Sequence, residues 1–357
     1  MHTRLLTLIV ILTGAVSVTA HATETIESVK PADATPIAWE GRHNEKIDAQ
    51  RIAGPLSIRL QNCSDIIIST CDLASVELIE CQRITIRNCW IHNSERCGVT
   101  TYKVQQLLVQ GCRLENVATG VYAIESQGIQ VVGNFARNVR GPFPRGQMAQ
   151  FDTVTGAGNA IRGNYVINDR GMSHPEDDIS LFKSAGEPES PILIENNYLV
   201  GDPTQGSMDK SENGSGIMLG DYGGAYLTCR RNVVISAGQV GIGVAGGHDI
   251  RVEDNLVYGE KSNVSNNGLY AWNQSKEPCE HVSILRNRVS WVSKNGEEAS
   301  WWLGSGVADL QQKENQFADA TLAGQLPAPP SKAPMPPQPW ADRRGDGAVV
   351  RLPWKFN

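Results

Sequence analysis

Four carboxylates in three separate segments of this 357-residue chain are candidates for acid–base chemistry: Asp152, the adjacent pair Asp177-Asp178, and Asp221. The pair opens the run 176-EDDISLFKSAG-186, which carries Lys183 at its far end, and His248 follows 65 residues later. Two carboxyl groups on either side of a glycosidic bond can cleave it. One protonates the leaving oxygen and the other activates water, at a separation of ~6.5–9.5 Å when the outcome is inversion. The aromatic residues Tyr122, Phe151, Phe182, Tyr270 and Trp272 are spread through the same segments. Their flat rings are suited to the apolar faces of sugars, and Arg170 and His174 are polar candidates for holding the same substrate. Whether any of these side chains meet depends on the elements that carry them.

Those elements are set by an internal repeat. The stretches 63-CSDIIISTCDL-73 and 81-CQRITIRNCWI-91 share one pattern, displaced by 18 residues, and 104-VQQLLVQGCRL-114 repeats it. The register continues with asparagine in the place of cysteine, so that one position runs Cys71, Cys89, Cys112, Asn134, Asn164, Asn197, Asn232, Asn255, Asn287. Recurrence at steps of this size indicates a stacked array. Apolar residues at spacing two followed by a turn read as a strand, and no sustained helical period separates the copies. The expected fold is therefore all-β, a right-handed single-stranded parallel β-helix of nine to ten coils stacked ~4.8 Å apart. Asparagine side chains at the repeated bend are expected to satisfy one another and the turn backbone.

A second strand precedes each ladder strand: GVTTYK103, GVYAIE125, QMAQFD152, DISLFK183, GIMLGD221, GIGVAG246, GLYAWN273. Aligned by their ends, these segments send residues such as Met148/Gln150 and Ile179/Leu181 into the core and Tyr122, Phe151, Phe182, Tyr270 and Trp272 outward. Their last positions form a file in which Lys183 lies between Asp152 and Asp221, the two acids roughly 9–10 Å apart. Longer connections at 138–147, 168–177, 200–215 and 259–267 all fall just before a strand of this file. Loops that grow on one face of a solenoid build a wall there, and the expected result is a groove for an extended sugar chain.

The ladder and its strand pattern resemble the right-handed parallel β-helix proteins of the pectin-lyase-like superfamily over about residues 50–295. Asp177-Asp178-Ile179 is similar to the paired aspartates that open a strand in the polygalacturonase family, which implies a hydrolytic role for Asp177, Asp178 and His248. The N-T-D, G-H-G and R-I-K motifs of that family are absent. Ile179 through Ser184 resembles the strand bearing the catalytic lysine in the chondroitinase B and alginate lyase family, as Gly241 through His248 resembles a later turn. That resemblance implies elimination, with Lys183 as the base that removes the proton at C5 of a uronate. The R-H-G of that family has no counterpart, since Gly220-Asp221-Tyr222-Gly223 stands on the following turn. A third reading, from another class, is a non-catalytic glycan-binding or periplasmic surface module.

Bulk properties agree with an exported carbohydrate-active protein. Residues 1–22 have a basic start, an apolar stretch and Ala20-His21-Ala22, the layout of a cleavable secretory signal. Its removal takes away one arginine and moves the net charge from −6 to −7. With no basic stripe, nucleic acid is excluded as a partner. No membrane association is expected after signal removal, and the expected state is a monomer with a polysaccharide partner. Six of the eight cysteines fall between Cys63 and Cys112, and read as a column of small buried thiols. No zinc-type spacing is present, and the acids near Lys183 are the only candidates for Ca²⁺. Residues 23–50 are expected to cap the first coil. Residues 296–357 form a C-terminal cap and tail, with 326-LPAPPSKAPMPPQPW-340 as its proline-rich part.

Overall fold

The computed structural model of the chain describes residues 32–142, 144–201 and 214–330. Each coil has three strands, and successive coils pair in parallel to give a right-handed parallel β-helix. One representative coil comprises Arg113–Glu115, Val121–Ile124 and Gln127–Val132. The first strand of each coil belongs to a twelve-stranded sheet. The second and third strands form two further files. They are united into one 21-stranded sheet because Asp177–Ala185 and Ser215–Arg230 run unbroken round the corner between them.

Alternation decides which side chains fill the coil. Leu114, Val121, Ala123, Ile129 and Val131 all point inward and are fully buried. Their equivalents merge into one apolar core running from Ile47 to Trp291. Bends between strands require left-handed backbone. After the second strand it falls on Lys103, Glu125, Thr153, Lys183 and Tyr222, at φ of 46–57°. Non-glycine residues there carry a cost, which the pairing on both neighbouring coils must outweigh.

The asparagine ladder forms as expected. Asn164 Nδ2 donates to Asn197 Oδ1 at 3.0 Å and to the Val131 carbonyl at 2.9 Å, and Asn164 Oδ1 accepts from both the backbone and the side chain of Asn134. The cysteines extend it by weaker means. Cys112 Sγ donates to the Ile86 carbonyl at 3.6 Å, the position equivalent to the Val109 carbonyl that Asn134 uses. All eight cysteines are free thiols, seven of them buried.

The solenoid is longer than the repeat alone indicated. Ala32–Ala34, Ile37–Glu40 and Lys46–Asp48 already pair with the coil above them, so residues 32–50 are a coil rather than a separate cap. At the other end Trp301–Leu303, Gln311–Lys313 and Gln316–Phe317 continue all three files, and Asn315 adds a rung to the ladder. The twelve strands of the first sheet exceed the nine to ten coils expected. The terminal coils escaped notice because their strands are short and polar: Gln311, Gln312 and Lys313 are all exposed. The expected secretory signal, residues 23–31, and the tail from 331 onward lie outside the described residues. Where the tail begins, Tyr198 Oη donates to the Pro327 carbonyl at 3.1 Å.

Candidate functional site

The long connections do fall between the first and second strands of their coils, residues 202–213 lying outside the described residues, and 138–147 packs on 168–177. His174 N donates to the Arg140 carbonyl and Glu176 N to the Arg145 carbonyl, at 3.1 Å each. Gln147 Nε2 reaches Glu176 Oε2 at 2.8 Å. The result is a wall beside the outward face of the second file.

That file's register corrects one expectation. Ala149, not Met148, pairs with Val121 and Ile179, so the segment ending at Asp152 sits one position further along than its alignment by end residues placed it. Ala149 and Phe151 therefore point inward and are fully buried, while Gln150 and Asp152 face the groove side. Phe151 is a core residue, out of reach of a sugar in the groove. The physical reason is the pairing of Ala149 with Val121 below and Ile179 above, since a shift of one residue exchanges the inward for the outward side chains of a strand. The true file is Ile124, Asp152, Phe182, Asp221. Asp152 and Asp221 are thus two rungs apart, roughly 9–10 Å along the stack. Lys183 is displaced to the left-handed corner beside that file. There its Nζ lies 4.9 Å from the Phe182 ring centroid and 5.8 Å from that of Tyr222. The register slip around Phe182 puts Asp221 rather than Gly220 opposite it.

At the lower end, Tyr122 Oη donates to Asp152 Oδ2 at 2.9 Å. The Arg145 guanidinium stacks 4.2 Å from the Tyr122 ring and donates to Tyr122 Oη and to Gln150 Oε1, at 3.2 Å each. One coil higher, three acids share a half-buried or buried setting. Burial pushes the Glu176 carboxyl up to about 7, and the negative charge of Asp221 adds to this. Burial and then the Glu176 charge push Asp177 up to about 8, against the hydrogen bond that Ser215 N donates to Asp177 Oδ1 at 2.9 Å. Asp221 is raised by burial, with the Lys183 charge opposing. Tyr270 is also raised by burial and feels the charges of Asp177 and Asp221. Carboxyl groups that hold protons near neutral pH are suited to act as general acids.

Asp178, though adjacent to Asp177, is not part of this cluster. It turns into the corner beneath the wall, where Asn168 Nδ2 donates to Asp178 Oδ1 at 2.8 Å. Burial raises it to about 7, with no contribution from the other three acids. His248 opens a strand of the third file, where its Nδ1 lies 2.7 Å from Asp249 Oδ2 and its ring meets Tyr226 edge-on. None of its contacts reaches the acids. Arg170 is exposed and His174 half-buried in the wall loop, and the cation over the groove is Arg145. Among the described residues no group of three His, Cys, Asp or Glu side chains could hold a metal ion, so the Ca²⁺ expectation finds no carboxylate site there.

Beyond the acids the groove opens into a cleft of about 670 Å³, whose lining includes Met218, Tyr270, Trp272, Gln274, Lys294 and Trp302. Tyr270 lies flat because its neighbour one coil below is Gly243, where a Cβ would come within 2.7 Å of the ring. Its hydroxyl thereby reaches Met218 Sδ two coils down, at 3.3 Å, and accepts from Gln274 Nε2 at 2.8 Å. Trp272 and Trp302 meet edge-on at 5.5 Å and stay partly exposed, at 37% and 41%. Sequence reasoning missed Arg145, Glu176, Met218 and Trp302. Glu176 stands directly before the aspartate pair, and Trp302 belongs to a coil whose repeat pattern had faded.

The fold thus defines a right-handed parallel β-helix protein. Residues 39–174 match the family model described as the right handed beta helix region. No curated protein matches the sequence. Among solved structures, the fold is similar to the catalytic domain of a GH87 alpha-1,3-glucanase in complex with tetrasaccharides. Two variants of that domain are 13% and 12% identical, with TM-scores of 0.39 and 0.40 over 80% and 81% of this chain. It is also similar to a mannuronic acid specific polysaccharide family 6 lyase from human gut microbiota, at 9% identity and a TM-score of 0.33, over 78% of this chain and 77% of that one. The chain spans 65% and 64% of the two glucanase structures. Among the described residues, no helix is long and apolar enough to cross a membrane.

Proposed function

We propose that this chain is an exported carbohydrate-active enzyme that hydrolyses an extended polysaccharide in the groove on the outward face of the second file. The observation that carries the reading is the convergence of Glu176, Asp177 and Asp221 at the foot of an aromatic cleft. Glu176 is the general acid: half-buried beside the groove and raised to about 7, it still holds its proton in part of the population at neutral pH. It protonates the glycosidic oxygen as the C–O bond breaks. Asp221, which burial raises while the Tyr222 backbone N–H and the Lys183 charge oppose, takes the proton of the attacking water. Asp177 is buried and is a positioning residue, since its Oδ1 is already engaged by Ser215 N.

A lyase would place the base on Lys183. That ammonium lies against the Phe182 and Tyr222 rings at the outer corner rather than over the groove floor, which favours hydrolysis. The test is a panel of neutral and uronic-acid polysaccharides with reducing ends and unsaturated ends both recorded. Reducing-end release that is lost in Glu176→Gln and Asp221→Asn supports hydrolysis. Unsaturated products lost in Lys183→Ala would replace it with elimination. Glycan binding without turnover would make the chain a binding module.

A further inference from the structure

We infer that the cleft beyond the acids binds uncharged pyranose units, and that the substrate is a neutral polysaccharide rather than a polyuronate. This inference rests on the reading of the groove as a polysaccharide site and names the substrate class that site accepts.

Trp272 and Trp302 stand on adjacent coils with their rings 70° apart and part of each face open to solvent. Gly304 sits where a Cβ would come within 2.5 Å of Trp272, so the absence of a side chain there lets the indole lie down on the next coil. Gly243 does the same for Tyr270. Two glycines therefore clear space for two aromatic rings on one face, which builds a floor instead of leaving rings to project at random. Aromatic faces of this kind take the apolar C–H face of a pyranose, and amides at the rim take its hydroxyls. Gln274, Asn266 and Asn267 supply such amides.

A polyuronate carries one negative charge per sugar ring, and each such ring must find a cation or leave a carboxylate beside other carboxylates. The cleft lining includes one cation, Lys294, and two acids, Glu297 and Glu298. Directly below it stand Asp221, Asp177 and Glu176, which already oppose one another's ionisation. The cations facing this line are few. Arg145 is committed to Tyr122 and Gln150, and Lys183 lies at the outer corner against two rings. An anionic chain laid along this file would pass Asp221, Glu297 and Glu298 with Lys294 as the cation lining the cleft, and would further oppose the ionisation of Glu176 and Asp177, whereas an uncharged chain meets none of that penalty.

The experiment is a tryptophan-fluorescence titration of the full chain with neutral hexasaccharides of glucose, mannose or xylose, and separately with hexamers of galacturonate and mannuronate, at low and high salt. The inference expects saturable binding of at least one neutral hexamer, insensitive to salt, and weakened about tenfold by Trp272→Ala. Trp302→Ala, on the exposed side of the pair, gives the same reading should the first variant fail to fold. Binding of a uronate hexamer in preference to all neutral ones, with affinity that falls as salt rises, overturns the inference, as does no binding by any hexamer. Binding and turnover are separate readouts. Neutral binding without cleavage leaves this inference standing and removes the hydrolase, while uronate cleavage removes this inference and leaves an enzyme.

Discussion

Asn232→Ala probes how the coil that carries Asp221 is held in place. The Asn232 amide makes four ladder contacts. Its Oδ1 accepts from Asn197 N at 3.0 Å and from Asn197 Nδ2 at 2.9 Å, and its Nδ2 donates to the Ile194 carbonyl at 2.9 Å and to Asn255 Oδ1 at 3.0 Å. The side chain is fully buried, so water cannot replace these partners. Each bond contributes about 1 kcal/mol net, and the Asn197 backbone N–H left without an acceptor costs about 1–3 kcal/mol more. The expected loss is about 5–7 kcal/mol, comparable to the whole stability of many domains. Asn232→Cys should lose less, because Cys112 fills the equivalent position and keeps a donor to the carbonyl below. Urea unfolding followed by far-UV circular dichroism reads the difference. A loss under about 1 kcal/mol for the alanine variant would mean that the ladder does not hold the coils together, and the reasoning would fail.

Raised carboxyls make stability fall with pH. Asp177 and Glu176 hold protons more tightly in the native state than when unfolded, so the unfolded chain releases them first as pH rises from about 4. Stability should therefore decline between about pH 5 and 8 and then level off. Asp177→Asn should flatten that slope in urea midpoints measured across the range, and an unchanged slope would refute the assignment. Gly243→Ala should push the Tyr270 ring off Met218, weakening glycan binding while far-UV dichroism stays unchanged; a normal affinity would show that the flat ring is not needed. An aromatic thiol reagent should label at most Cys97 in the native protein, the one thiol not buried, and all eight after unfolding. Several native labels, or fewer than eight at the end, would contradict the reduced thiol column.

Much of this molecule is legible in its residues because the ladder is written in them. Asparagine at a fixed place in each coil is hard to explain except by a stack of side chains bonding to one another, and the structure extends the same ladder to Asn315. The groove's side was legible for a similar reason, since all the long connections precede one file. The register at Asp152 was not. A shift of one residue leaves the acid near a strand end in both alignments but exchanges Phe151 for Met148 and Gln150 in the sequence-level reading. Only the coil-to-coil pairing separates core from groove there. The acid cluster was half legible. Asp177 and Asp221 stood out, but Glu176 belongs to the wall loop, and no strand periodicity says where a loop side chain points. Asp178 looked equivalent to its neighbour and is turned away from it by the bond from Asn168.

The most direct measurement of the central claim is a crystal structure of Glu176→Gln with the best-binding hexasaccharide. The account predicts a sugar chain along the outward face of the second file, with one ring on Trp272 and a glycosidic oxygen within hydrogen-bond reach of position 176. A chain lying on the first or third file, or one that bypasses Asp221 and the tryptophans, would contradict it.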